Sequence, residues 1–163
     1  MKRRDLLAAG AGVAAAGAAV WPLAAGIATP LDEPPQGHDA PWVDVAGEKE
    51  LQPAPQRAVV RVPVRDGYFT ILEEWGAVWL RRLPDGGVAA LSAICPHLGC
   101  GIGQDNKGGY ACPCHDSRFG ADGARVRGPA PRGMDPLPVR LADGRVLVQA
   151  LRFAGGRKVR HAL

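Results

Sequence analysis

Aromatic residues are scarce in this chain. Phe, Trp and Tyr make up 6% of its 163 residues, whereas 22 Gly and 15 Pro together approach a quarter of them. This composition favours loops and short strands over long soluble helices. The formal net charge is only +4, and Lys and Arg are scattered rather than gathered into one stripe. That distribution argues against nucleic-acid binding, and the length suits one modest domain with an appendage.

Cysteine is missing from the chain except in one short stretch. All four cysteines lie between positions 95 and 114. A disulfide framework that staples a small domain would spread its cysteines along the chain. Thiols gathered in this way, with histidines at positions 97 and 115 beside them, instead indicate a metal site.

Charge of either sign is absent from Leu6 to Leu31. This run of 26 residues is mostly Ala, Gly, Leu and Val, and it is long enough to cross a bilayer as a helix. We therefore predict that residues 1–28 form a single transmembrane anchor. Basic residues at positions 2–4 should keep that end cytoplasmic, which places the rest of the chain on the periplasmic or outer side of the membrane.

The same N-terminal residues allow a second interpretation. The pair Arg3 and Arg4 resembles a twin-arginine export signal, whose route carries folded, cofactor-loaded proteins. Gly26-Ile27-Ala28 offers the small residues that a signal peptidase accepts, and Pro22 weakens the run as a helix. A retained anchor and a cleaved signal both stay open, and the sequence favours the anchor.

Proline is concentrated in residues 29–57, which show no hydrophobic period. We predict a semi-extended linker or hinge there. Residues 58–163 are predicted to form an all-β domain, an antiparallel sandwich or barrel, because short apolar runs alternate with turn signals such as Asp-Gly. The expected strands are 58–64, 67–72, 77–83, 88–94, 137–141 and 145–153, with turns at 65–67, 73–76, 84–87 and 142–144. The tail, residues 155–161, is expected to be solvated.

Two short motifs contain the candidate ligands. The first is CPHLGC at positions 95–100, and the second is CPCHDS at positions 112–117. Cysteine and histidine are also the ligands of structural zinc sites, which often take two ligands from each of two loops. The tight Cys-x-His spacing of the first motif and the two additional cysteines argue against zinc.

The two motifs together resemble the ligand pattern of Rieske iron–sulfur proteins, over about residues 58–153. The resemblance implies an all-β Rieske domain, or head, that follows the single N-terminal helix in the chain. This domain would hold one [2Fe–2S] cluster per chain. Two thiolates would hold one iron and two imidazoles the other. The implied ligands are Cys95, His97, Cys112 and His115. Cys100 and Cys114 would form a disulfide, which persists in an exported protein.

The additional cysteine pair resembles the disulfide-containing type of Rieske protein found in cytochrome bc complexes. The resemblance implies an electron-transfer subunit of a quinol:cytochrome c oxidoreductase, inactive alone, whose partners are cytochrome b, a c-type cytochrome and quinol. His115 would accept the quinol proton, with His97 beside it. Leu98 would contact cytochrome b, although local packing explains this residue equally well. The linker would let the head swing between partners, and the family's proline loop corresponds to Gly128, Pro129, Ala130 and Pro131.

Three residues after the second histidine are expected to tune the cluster. Ser117 keeps a hydroxyl that can donate to a bridging sulfide. Phe119 stands where high-potential members of the family have tyrosine, so it cannot donate a hydrogen bond to a cysteine sulfur. Asp116 stands where glycine is usual; it adds negative charge that Arg118 can offset, and it tolerates a left-handed backbone. We predict a reduction potential below that of ubiquinol-oxidising relatives, suited to menaquinol.

A second function is compatible with the same motifs. The chain also resembles the Rieske small subunit of an arsenite-oxidase-like molybdoenzyme, in which the head would relay electrons from a molybdenum partner and would need no mobile hinge. A structural zinc protein is the third class. The sequence does not distinguish the quinone or the acceptor cytochrome.

Overall fold

The computed structural model describes residues 40–163. The anchor or signal predicted at 1–28 and the first part of the predicted linker, residues 29–39, lie outside the described residues. Within residues 40–163, no helix is long and apolar enough to cross a membrane.

The described residues form eleven β-strands and one short 3-10 turn, Glu48–Glu50, which confirms the all-β prediction. All pairings between strands are antiparallel. The strands are β1 (Trp42–Gly47), β2 (Gln56–Asp66), β3 (Phe69–Arg82), β4 (Val88–Ser92), β5 (Gly103–Gln104), β6 (Tyr110–Cys112), β7 (Ser117–Phe119), β8 (Arg125–Arg127), β9 (Pro136–Leu137), β10 (Val139–Ala142) and β11 (Arg145–Gln149).

The strands form three sheets, in the orders β1-β11-β10, β2-β3-β4-β9 and β5-β6-β7-β8. The first two sheets share one apolar core, whose fully buried members include Val60, Val78, Leu80, Val146 and Val148. The buried side chains of these strands point to the space between the two sheets, so they are removed from water. We call this pair of sheets the base.

The third sheet packs over a second core, which contains Cys95 and Cys112 of the two motifs. Its buried residues are Ala77, Trp79, Ala93, Cys95, Ile102, Tyr110, Cys112, Phe119, Ala130 and Met134. Strand β3 serves both cores, because its alternate residues point to opposite faces. Val78 and Leu80 lie in the base core, whereas Ala77 and Trp79 lie in the second. The Trp79 indole N–H donates to the Ile102 carbonyl at 3.0 Å, which ties β3 to the loop after the first motif.

The linker prediction is wrong from Trp42 onwards. Strand β1 lies inside the range 29–57 and pairs with β11, where the Arg145 Nε donates to the Asp44 carboxylate at 2.8 Å. Val43 and Val45 pack against the base core. The strand was not predicted because prolines surround it and its partner strand is distant in sequence. The domain therefore begins well before position 58.

The turn predicted at 73–76 is also wrong, because β3 continues through it. Val60 pairs with Gly76 and Arg61 pairs with Glu74, which leaves Trp75 as the extra residue of a β-bulge. A bulge rotates the side chains that follow it. Trp75 is buried in the base core as a result, and Gly76 adopts φ +153°. The turns predicted at 84–87 and 142–144 are confirmed, whereas the turn predicted at 65–67 lies at residues 67–68, because β2 continues through Asp66.

The C-terminal tail folds back on the domain instead of extending into solvent. Phe153 and Ala162 form an isolated antiparallel bridge. The Ala154 N–H donates to the His161 carbonyl and the Leu163 N–H donates to the Arg152 carbonyl, each at 2.9 Å. The side chains of residues 155–161 are exposed, as expected, but their backbone is held in place.

Candidate metal centre

The first motif forms a tight loop after β4. An isolated bridge between Ile94 and Gly101 closes the base of this loop. Within it, the Cys95 N–H donates to the Cys100 carbonyl at 2.7 Å and the Gly99 N–H donates to the Cys95 carbonyl at 2.9 Å. Gly99 adopts φ +82°, a conformation that costs glycine little. The loop therefore brings the side chains at 95, 97 and 100 to one end of the domain.

The second motif is the turn of the hairpin formed by β6 and β7. Cys112 and Ser117 are the last paired residues of the two strands, and residues 113–116 connect them. Asp116 adopts φ +55°, so the left-handed backbone expected at this position is confirmed. The turn places His115 at its exposed end and leaves Cys112 buried beneath it.

The four predicted ligands form two neighbouring pairs, one of imidazoles and one of thiols. The imidazole rings of His97 and His115 lie 4.8 Å apart between centroids and meet edge to face, at 87°. The thiol of Cys95 interacts with that of Cys112, and these two side chains are 2% and 3% exposed. His115 is exposed and His97 is half-buried. Two thiols are thus buried in an apolar core, while the two imidazoles of the same two loops reach the surface.

Burial raises the pKa of the Cys95 thiol to about 11, against the smaller opposite effect of the backbone N–H groups of His97 and Leu98. The neighbouring Cys112 thiol raises it further. Without a metal this thiol is protonated at neutral pH, and metal binding must displace the proton. Backbone donors facing a buried sulfur are a suitable environment for a thiolate ligand.

The structure joins Cys100 and Cys114 by a disulfide, as the resemblance implies. The bond links the two motif loops directly. The sulfur atoms of Cys100, Cys112 and Cys114 all lie within 4.8 Å of one another. This trio does not make a thiolate site, because two of its members are already oxidised. Cys95 and Cys112 remain as the free thiols.

The predicted proline loop lies directly behind the second motif. The Ala130 N–H donates to the Ser117 hydroxyl oxygen at 3.1 Å in a buried position. Gly128 approaches the backbone so closely that an added Cβ would lie 2.5 Å from the Ser117 Cα and 2.9 Å from the Asp116 carbonyl oxygen. Because Ser117 accepts the loop's N–H, its own hydroxyl proton stays available to donate toward the motifs.

Asp116 lies between two guanidinium groups. Arg118 Nε donates to its Oδ1 at 2.8 Å, and Arg127 Nη2 lies 2.7 Å from its Oδ2. The hydrogen bond from Arg118 is the main cause that lowers the pKa of this carboxyl. The sequence indicated Arg118 as the partner but missed Arg127, because Arg127 lies on β8 and reaches Asp116 only once the sheet has formed.

One residue of this region, Tyr110, was not singled out from the sequence. Tyr110 pairs with Phe119 across β6 and β7, and both are buried in the second core. Among the described residues, the Tyr110 hydroxyl is the one buried side-chain polar atom without a hydrogen-bond partner. Leu98, in contrast, is 68% exposed at the tip of the first loop. It makes an apolar surface next to the imidazoles.

The fold and the site define an all-β protein with a mixed Cys/His metal centre at one tip. Residues 41–142 match the family model described as the Rieske [2Fe-2S] domain. The chain belongs to this family, and it carries a [2Fe–2S] cluster.

Curated relatives include iron–sulfur subunits of a menaquinol:cytochrome c reductase and of cytochrome b6-f complexes. The menaquinol:cytochrome c reductase iron–sulfur subunit of Geobacillus thermodenitrificans is 32% identical over 109 residues, which is 64% of each chain. The cytochrome b6-f complex iron–sulfur subunit of Prochlorococcus marinus (strain MIT 9215) is 35% identical over 97 residues, 59% of this chain and 50% of the relative. The chain thus spans less than two thirds of the length of these relatives.

The structure is also similar to a solved one, the plasma membrane Rieske protein PetC3 from Synechocystis PCC 6803. The TM-score is 0.45 and the sequence identity 21%, and the match covers 67% of this chain and 98% of the other.

Proposed function

We propose that Cys95 and Cys112 bind one iron of the cluster and that His97 and His115 bind the other. The observation that carries this assignment is that the two motif loops pair their buried free thiols with each other and their imidazoles with each other. The donor set fits the cluster, because Rieske centres take two thiolates and two imidazoles. Bound there, the cluster supplies a one-electron acceptor whose potential is raised by its neutral histidine ligands.

We further propose that the chain is the electron-transfer subunit of a cytochrome bc-type complex that oxidises quinol and reduces a c-type cytochrome. The proposal is supported by the two curated relatives described above, a menaquinol:cytochrome c reductase subunit and a cytochrome b6-f complex subunit. His115 is the exposed imidazole, so it is the group that can accept the quinol hydroxyl proton. Exposed Leu98 supplies an apolar contact for cytochrome b. The head would lie on the periplasmic or outer side, held to the membrane by the N-terminal segment.

Menaquinol is the proposed electron donor. Phe119 is 2% exposed and shares the second core with Cys95 and Cys112, so no phenol oxygen is present at this position to donate to a sulfur. Asp116 adds a carboxylate next to His115, but Arg118 and Arg127 both pair with it and offset its charge. The missing phenol is therefore the feature that lowers the potential toward the range that menaquinol requires.

The test is electron transfer by the native complex in membranes. Membranes that contain the chain are supplied with a reduced menaquinone analogue and oxidised cytochrome c, and the cluster is followed by electron paramagnetic resonance (EPR). We expect the cluster and then the cytochrome to become reduced, and loss of both when His115→Ala replaces the native chain. Reduction of the cluster by arsenite, in the absence of quinol, would instead favour the molybdoenzyme subunit. Zinc in place of iron and sulfide would contradict both.

Adding a phenol at position 119 is expected to raise the reduction potential. In Phe119→Tyr a hydroxyl can donate toward a cysteine sulfur and stabilise the reduced cluster, by about 60 mV, which is about tenfold for a one-electron couple. An EPR-monitored redox titration measures the change. Phe69→Tyr is the control, because Phe69 is 74% exposed on the β2–β3 hairpin. A rise in the control as large as in the variant would contradict the explanation.

A further inference from the structure

The tail hairpin, residues 152–163, contacts the first ligand loop directly. The Gly156 N–H donates to the Pro96 carbonyl at 2.9 Å. Gly155 lies so close that an added Cβ would be 3.1 Å from the His97 carbonyl oxygen. Gly156 adopts φ +70°, which lets the tail turn at this contact. Backbone of the tail thus lies against the backbone of a ligand residue.

The contact reaches a cysteine sulfur through one peptide group. The Pro96 carbonyl and the His97 N–H are the two ends of the same peptide unit, and interaction with the His97 N–H lowers the pKa of the Cys95 thiol. A carbonyl that accepts a hydrogen bond polarises its peptide, which strengthens the N–H at the other end as a donor. Gly156 therefore acts on the Cys95 sulfur without touching it.

A buried ion pair fixes the position of the tail. Arg132 and Asp135 are 7% and 4% exposed and form a bidentate pair, with both hydrogen bonds at 2.8 Å. Arg132 also donates to the Arg157 carbonyl at 2.6 Å. Asp135 accepts from the Arg160 Nε at 3.1 Å, and Arg160 donates to the Met134 carbonyl at 3.3 Å. Charged groups buried together hold a defined geometry, because separating them leaves a charge unpaired.

We propose that the tail hairpin is a positioning element for the cluster, which raises its reduction potential by polarising the Pro96–His97 peptide toward the Cys95 sulfur. Hydrogen bonds to cluster sulfurs stabilise the reduced state. Gly156 is the donor, and Arg160 is the positioning residue that keeps it in place. The inference rests on the ligand assignment made above, but not on quinol as the electron donor.

Two arginines of the tail provide a matched test in the full chain with its cluster bound. Arg160→Ala removes both side-chain bonds to the ion-pair network, whereas Arg157→Ala keeps the backbone carbonyl that Arg132 uses. In Arg160→Ala we expect the ratio of reduced to oxidised cluster at a fixed ambient potential to fall about threefold, or about 28 mV for a one-electron couple. Arg157→Ala should leave this ratio unchanged. EPR-monitored titration measures both.

Truncation after Ala154 is the second variant, and it should lower the ratio at least as much. If this variant does not fold, the arginine pair decides alone. A loss of thermal stability in Arg160→Ala with an unchanged potential would show a merely structural role and overturn the proposal, as would equal shifts in the two arginine variants. Because the titration uses neither quinol nor a partner, these results are independent of the quinol assignment. Absence of a Rieske EPR signal from the unaltered chain would overturn the ligand assignment itself.

Discussion

Replacing His115 with alanine is expected to abolish the Rieske EPR signal and most of the bound iron. A metal-site binding free energy of about 10–16 kcal/mol divided over four ligands gives roughly 3 kcal/mol per ligand, which is on the order of a hundredfold in affinity. His115 is exposed, so the substitution leaves no cavity and the fold should persist. Iron and sulfide analysis, together with EPR of the reduced chain, measures the loss.

The control for this experiment is His161→Ala. His161 is also exposed, but it lies in the tail, and only its backbone carbonyl takes part in a described hydrogen bond. We expect full cluster content in this variant. Retention of the cluster signal in His115→Ala, or equal loss in both variants, would contradict the assignment of His115 as a ligand. The far-ultraviolet circular dichroism of all three chains should be the same.

Replacing Gly128 with alanine is expected to destabilise the domain and to release the cluster. The added Cβ would lie 2.5 Å from the Ser117 Cα, and Gly128 adopts φ +97°, which side chains rarely take. Strain and overpacking of this kind cost about 2–4 kcal/mol. The backbone that must move is that of Asp116 and Ser117, immediately after His115. Urea unfolding and iron content measure the two effects.

Gly67→Ala separates backbone strain from steric overlap. Gly67 also has a positive φ, +57°, but an added Cβ would meet no atom within 4 Å in its exposed turn. This variant should lose about 1 kcal/mol of stability from strain and keep its cluster. Should Gly128→Ala behave like Gly67→Ala in both measurements, the close approach of the proline loop to the second motif would not matter for cluster binding.

The metal centre was more predictable than the framework around it, for a physical reason. The proposed ligands lie in two local motifs, whose residue types and spacings suit the chemistry of the cluster. Strand β1 was missed because its partner β11 is distant in sequence. Trp75 was placed in a turn because Gly76 follows it, whereas in the structure the glycine supports a bulge that buries the indole. Neither feature leaves a periodic signal over a short window.

Contacts that depend on the assembled sheets were equally hidden. Asp116 could be paired with Arg118 by their spacing, but Arg127 comes from another strand. The tail was expected to be solvated, and nothing in its sequence shows that Gly156 meets Pro96. The buried ion pair of Arg132 and Asp135 was hidden for a related reason. A spacing of three residues in a loop does not by itself predict a bidentate contact.

Strand β3 determines how the two cores of this protein unfold. Val78 and Leu80 belong to the base core, whereas Ala77 and Trp79 belong to the second core. The two cores therefore share one strand. Heat or denaturant that unfolds the base would also disrupt the packing around the candidate metal centre. The visible absorbance of the cluster should then disappear in the same transition in which the base unfolds. This absorbance would therefore report the global unfolding of the domain.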